Sequence, residues 1–129
     1  EIEYGMFNGV SEEEWPERFP EEFRTHQNLI DNGGEFWARK PGGEANSDVL
    51  LRAKLWFNGI SEGTFKRYDT IIIVSHSIFM QAFHMMITNH DFEKFGQIIK
   101  PNNACINSYT RDENGDVEFN GINFYGFKL

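Results

Sequence analysis

The chain has 129 residues, 40% of them hydrophobic and 25% charged, which is enough apolar material for one core and points to one domain or part of one. Twenty acidic against 12 basic residues leave a net charge of −8, which repels a phosphate backbone and argues against nucleic acid as a partner. The single cysteine, Cys105, excludes an internal disulfide and has no second soft ligand nearby, and no run approaches the roughly 18–20 apolar residues of a membrane span, so a reducing cytoplasm without membrane attachment fits best.

The chain opens on Glu1 instead of Met, within what reads as a structured segment, which suggests a fragment, a processed product or a trimmed chain. In Glu1-Ile2-Glu3-Tyr4-Gly5 two carboxylates two residues apart share one face if the segment is a strand. Exposed acids of this kind are usually just solvated. From Ser11 to Ile30 the sequence is acidic and aromatic, and Pro16 and Pro20 each interrupt a continuous helix, so short helical pieces are expected. Asp31-Asn32-Gly33-Gly34 is a stop and Lys40-Pro41-Gly42-Gly43 a second turn, with an irregular loop between.

Asn46 or Ser47 can cap a helix whose apolar residues Val49, Ala53, Trp56, Phe57 and Ile60 recur at helical spacing. Thr70 to Val74 is a β-branched run suited to a central parallel strand buried on both faces. Ile78 through Ile87 is apolar almost all round and predicts a deeply packed helix. Ala104–Thr110 and Val117–Tyr125, separated by a segment containing Asn114-Gly115, predict a terminal antiparallel hairpin. The order helix, strand, helix, hairpin belongs to an α/β sheet with an antiparallel edge. No internal repeat or interdomain linker interrupts it.

The string Ile71-Ile72-Ile73-Val74-Ser75-His76-Ser77 puts a histidine at the carboxyl end of a strand and the start of a helix. Open α/β sheets bind ligands there, and helix N-terminal amides favour an anion. His76 can donate to phosphoryl oxygens or exchange a proton near neutral pH, or it can be a satisfied structural histidine. The string alone leaves both readings open. Pro41-Gly42-Gly43-Glu44, followed by Asp48-Val49 and Arg52, reads by itself as turn structure.

Taken together, these strings resemble the histidine phosphatase superfamily of the phosphoglycerate-mutase type, in order and rough spacing. That family has a Glu-x-x-x-Gly segment, a Pro-x-Gly-Glu segment before a helix with Asp-Val and Arg, and a hydrophobic strand ending in Val-Ser-His. Asn102-Asn103-Ala104-Cys105-Ile106 is similar to the asparagine-led strand that follows, and Phe36-Trp37-Ala38-Arg39 to an aromatic-arginine segment found in part of the family. The resemblance implies a three-layer α/β/α, phosphoglycerate mutase-like fold with a mostly parallel sheet and a C-terminal antiparallel hairpin. Residues 1–129 would form a single incomplete domain, its C-terminal part, with the first strand or strands absent. It also implies roles: Glu1 as proton donor to the leaving group, His76 as stabiliser of the transferring phosphoryl group, and Tyr4, Arg39 and the Ser77 amide as substrate contacts. A small phosphorylated substrate is the implied partner; no cofactor and no metal are implied, and the oligomeric state is left open.

The family's reaction begins on the histidine of an upstream Arg-His-Gly motif, which these residues do not contain; His26, His84 and His90 are poor substitutes. The chain alone is therefore expected to be inactive. Where mutases carry a basic substrate contact this chain has Ser11-Glu12-Glu13-Glu14, which would repel a substrate carboxylate, and where many have asparagine it has Ile78. Both departures favour phosphomonoester hydrolysis over a mutase reaction. A fold that has lost its nucleophile and serves as a phosphate-ester-binding or regulatory module is the reading from a different class.

Overall fold

Two prolines divide the acidic N-terminal region. The computed structural model describes residues 1–61, 63, 67–98, 100–114 and 116–124. In it a short helix α1 (Trp15–Arg18) precedes a longer α2 (Pro20–Leu29), so the expected helical pieces are present. Each proline lies in a first helical turn, where its missing amide removes no intrahelical bond. Phe19, squeezed before Pro20, leaves the helical region at φ −138° and ψ 59°. The wide turn Ile30–Gly34, with Gly33 at φ 77°, makes the expected stop.

Helix α3 spans Asn46–Ser61. Neither Asn46 nor Ser47 caps it as expected. Instead the Asp48 carboxylate reaches back one turn to accept from the Ala45 amide at 2.7 Å, while the Asn46 side chain donates to the Glu35 carbonyl. Of the predicted apolar stripe, Val49 and Ala53 are fully buried and Trp56 is partly open; the Ile60 side chain lies outside the description. Helix α4 spans Ser77–Ile87 and buries Gln81, Ala82 and Met85, leaving its other apolar residues half-covered, so it is less deeply packed than its composition implied. Trp56 and Phe57 of α3 meet Phe79 and Phe83 of α4 edge to face. Ile2, Phe36, Val49, Ala82, Met85 and Phe95 form the core between them.

The terminal hairpin forms as expected from β1 (Cys105–Arg111) and β2 (Val117–Phe124), with Cys105 opposite Phe124 and Arg111 opposite Val117. The Asp112 carboxylate organises the turn by accepting from the Asn114 and Asp116 amides at 2.9 and 2.8 Å. Gly115 and Tyr125, which belonged to the predicted hairpin, lie outside the described residues.

The segment from Thr70 to Val74 departs from expectation. It has no regular secondary structure and pairs with no strand among the described residues, and Ile72 and Val74 are 85% and 93% exposed instead of buried on both faces. β-branched residues suit a strand, but burial requires strands alongside and helices on both faces. Among the described residues the hairpin is the one paired sheet, so the mostly parallel central sheet is not formed by them. The mixture of helices with a C-terminal antiparallel hairpin is nonetheless α/β in class and fits part of a phosphoglycerate mutase-like fold.

Candidate active site

Glycines bring two distant segments into backbone contact. Gly5 sits at φ 57° so close to the Pro41–Gly43 turn that a Cβ would overlap the Pro41 carbonyl, and a Cβ on Gly43 would overlap the Glu3 carbonyl. Backbone bonds from Met6 N to Pro41 O (2.9 Å) and from Glu44 N to Glu3 O (2.8 Å) hold the two together. The structural reading of the glycine turn is thus correct, and its structural task is to position the segment that carries Glu1.

Glu44 completes that task. Its carboxylate accepts from the Glu3 amide at 3.0 Å and from Arg52 Nε and Nη2 at 2.8 and 2.9 Å, and the Arg52 hydrogen bonds hold its pKa below the usual carboxylate range. Arg52 Nη2 also donates to the Glu1 carbonyl at 2.9 Å. Sequence reasoning saw Arg52 only as part of a motif. Its spacing of eight residues from Glu44, about two helical turns, was the available signal.

Glu1 and His76 meet at the end of this scaffold. Glu1 Oε2 lies 3.5 Å from His76 Nδ1, a contact that becomes an ion pair when the imidazole is protonated. The other Glu1 oxygen accepts from the Ile2 amide at 3.0 Å. His76 is the extended residue before α4, and the first helical bond runs from Met80 N to His76 O at 2.9 Å. The amides of Ser77, Ile78 and Phe79 therefore have no acceptor within the helix and can serve an anion. The Ser77 hydroxyl oxygen is buried and has no hydrogen-bond partner among the described residues. A cavity of about 350 Å³ adjoins Glu1, its lining including Arg52, Trp56, Ile73, Val74 and Phe79.

Tyr4 is half-buried three residues after Glu1, and burial together with the charges of Glu12 and Glu1 pushes its phenol above the usual value. Lys40, which the sequence did not single out, places its ammonium 4.8 Å from the centre of the Tyr4 ring. Arg39 points elsewhere: its guanidinium donates to the Gly43 carbonyl at 3.0 Å and to Asp48 at 2.7 Å. Among the described residues its polar partners include neither Glu1, Tyr4 nor His76.

The remaining histidines lie apart from this pair. His26 is buried against Phe7, His84 contacts the Tyr109 hydroxyl at 3.2 Å, and His90 contacts Thr88 Oγ1 at 2.6 Å. Among the described residues no group of three His, Cys, Asp or Glu could hold a metal ion, and no helix is long and apolar enough to cross a membrane.

Comparison with known proteins bears on this geometry. The family described as Histidine phosphatase superfamily (branch 1) matches residues 1–123. The chain is also similar to Phosphoserine phosphatase 1 of Hydrogenobacter thermophilus (strain DSM 6534 / IAM 12695 / TK-6), at 32% identity over 103 residues. The match covers 74% of this chain and 42% of that relative, so the chain spans less than half the relative's length.

Proposed function

The chain belongs to the histidine phosphatase superfamily, and we propose that it supplies the acid and the phosphoryl-stabilising half of a phosphomonoesterase site whose nucleophile, a histidine, comes from sequence outside these residues. The observation that carries the reading is the contact of Glu1 with His76 at the open N-terminus of α4. The name of the relative, a phosphoserine phosphatase, makes a phosphorylated hydroxy amino acid the first substrate to try.

In this reading the outside histidine attacks phosphorus, a P–N bond forms, and the P–O bond to the alcohol breaks. Negative charge then spreads over the phosphoryl oxygens. His76 and the amides of Ser77, Ile78 and Phe79 face that charge, and such fixed donors lower the barrier. Glu1, when protonated, gives its proton to the departing alkoxide, and as carboxylate it then accepts one from the water that attacks the phosphohistidine. The Arg52–Glu44 link and the docked glycine turn hold the Glu1 backbone so that the acid keeps its place relative to His76. Residues 1–129 are in this reading one incomplete domain, inactive alone.

The test is hydrolysis of O-phospho-L-serine and phenyl phosphate by the complete protein. Replacing His76 by Ala lowers kcat/KM by about 10²–10³, the usual cost of one transition-state donor. Phosphatase activity that survives loss of both His76 and the upstream histidine would sink the proposal.

A further inference from the structure

We infer that Lys40, standing over the ring of Tyr4, selects phosphomonoesters that carry a carboxylate close to the phosphoryl group; the inference rests on the phosphatase reading of the Glu1–His76 site. The position of Lys40 is built into the scaffold. Lys40 opens the turn that docks on the Glu3–Gly5 backbone, with its amide on the Glu44 carbonyl at 3.3 Å and its carbonyl accepting from the Gly43 amide at 2.8 Å. The turn and the Glu1 segment are thus joined through their backbones, and the Lys40 ammonium is placed over the Tyr4 ring, 4.8 Å away, three residues from Glu1.

Its ammonium rests on the Tyr4 ring, within reach of the charges of Glu12, Glu1 and Glu44. Lys40 is half-buried, and among the described residues it makes no ion pair within 4.0 Å, whereas its neighbour Arg39 is paired with Asp48 and bonded to Gly43. A partly desolvated ammonium without a carboxylate is unfavourable, so an anion arriving there gains more than it would at an open surface lysine. Burial pulls Lys40 below the ordinary lysine pKa and Lys100 acts in the same direction, against the charges of Glu12, Glu1 and Glu44, which act the other way. Tyr4 offers a hydroxyl and the edge of a ring to the same ligand.

The acidic segment that follows changes meaning in this light. Glu14 is folded back onto Ser11, accepting from its hydroxyl at 2.8 Å. Of Glu12, Glu13 and Glu14, the one whose charge reaches both Tyr4 and Lys40 is Glu12. Within that acidic segment it is Glu12 that a substrate carboxylate beside Lys40 has to face, with the lysine opposing it.

The experiment compares kcat/KM of the complete protein for O-phospho-L-serine, its methyl ester and phenyl phosphate. Lys40→Met lowers the preference for the free carboxylate over the methyl ester by about ten-fold or more, Lys40→Arg keeps most of it, and Glu12→Gln raises it. Equal losses on all three substrates, or an unchanged preference, overturn the inference. If Lys40→Met does not fold, the Glu12→Gln arm decides: a preference that does not rise counts against it. If the complete protein hydrolyses none of the three, the phosphatase reading fails, and calorimetric binding of phosphoserine against its methyl ester, wild type against Lys40→Met, still decides whether Lys40 reads a carboxylate.

Discussion

The Arg52 guanidinium joins two residues that are far apart in sequence: it grips Glu44 through Nε and Nη2 at 2.8 and 2.9 Å, and through Nη2 it holds the Glu1 carbonyl at 2.9 Å. Arg52 is nearly half exposed, so the Coulombic part of this pair is screened and the fork geometry matters more than the charge. Replacing Arg52 by lysine keeps the charge but loses the fork. The expected cost is about 1–2 kcal/mol in urea unfolding, with a larger effect on kcat than on KM in the complete protein, because Glu1 loses its backbone tether. An Arg52→Lys variant with unaltered kcat would show that the tether does not position the acid.

Gly43→Ala places a methyl group against the Glu3 carbonyl, and Gly5→Ala both overlaps the Pro41 carbonyl and strains a backbone at φ 57°. Neither obstacle is the flexible end of a side chain. Each change is expected to lower stability by more than about 2 kcal/mol. Gly42→Ala is the control, since nothing lies near its Cβ position, although its φ of 71° carries the ordinary penalty of about 1 kcal/mol for a left-handed residue. Similar midpoints for all three would mean that the two segments are not docked as described.

Burial lowers the pKa of His26, helped by the charge of Lys40, and burial likewise lowers that of His84, helped by His90. The unfolded chain, with histidines near about 6.5, then binds more protons than the folded one between that value and the depressed folded values. Stability therefore falls as the pH drops below about 6.5 and stops falling once the folded groups also protonate. Denaturant midpoints measured from about pH 7.5 to 5 should show this decline, and His26→Gln should flatten it. The same slope in the variant and the wild type would exonerate His26.

Ile72 and Val74 are almost fully exposed. In the 129-residue chain, Ile72→Thr with Val74→Thr should change stability by no more than about 0.5 kcal/mol. In a longer protein whose additional strands pair with this segment, the same double change should cost about 1–3 kcal/mol, and amides 71–75 should exchange slowly. Equal, small effects in both would show that the segment stays unpaired there too.

How much of this was legible beforehand depended on how local the cause was. Helices α1 and α2, the stop at Gly33, the start of α3 to within a residue and the terminal hairpin all follow from prolines, glycines, short-range capping and alternating β-formers, whose effects reach only a few residues. The order of the motifs around Glu1, Gly43 and His76 was likewise written along the chain, and with it the family. What α3 would use as a cap was misread because Asp48, at the third helical position, competes with Asn46 and Ser47 and wins by reaching Ala45. The tertiary structure alone decided where charges are aimed. Arg39 turns to Asp48, Arg52 to Glu44 and Glu1, and Lys40 to Tyr4, choices set by the docking of two glycine-bearing backbones far apart in the chain, which no local propensity encodes. The same holds for the apolar run ending in His76: β-branched side chains suit it to a strand, but only neighbouring strands could have made it buried, and pairing is a property of the whole sheet.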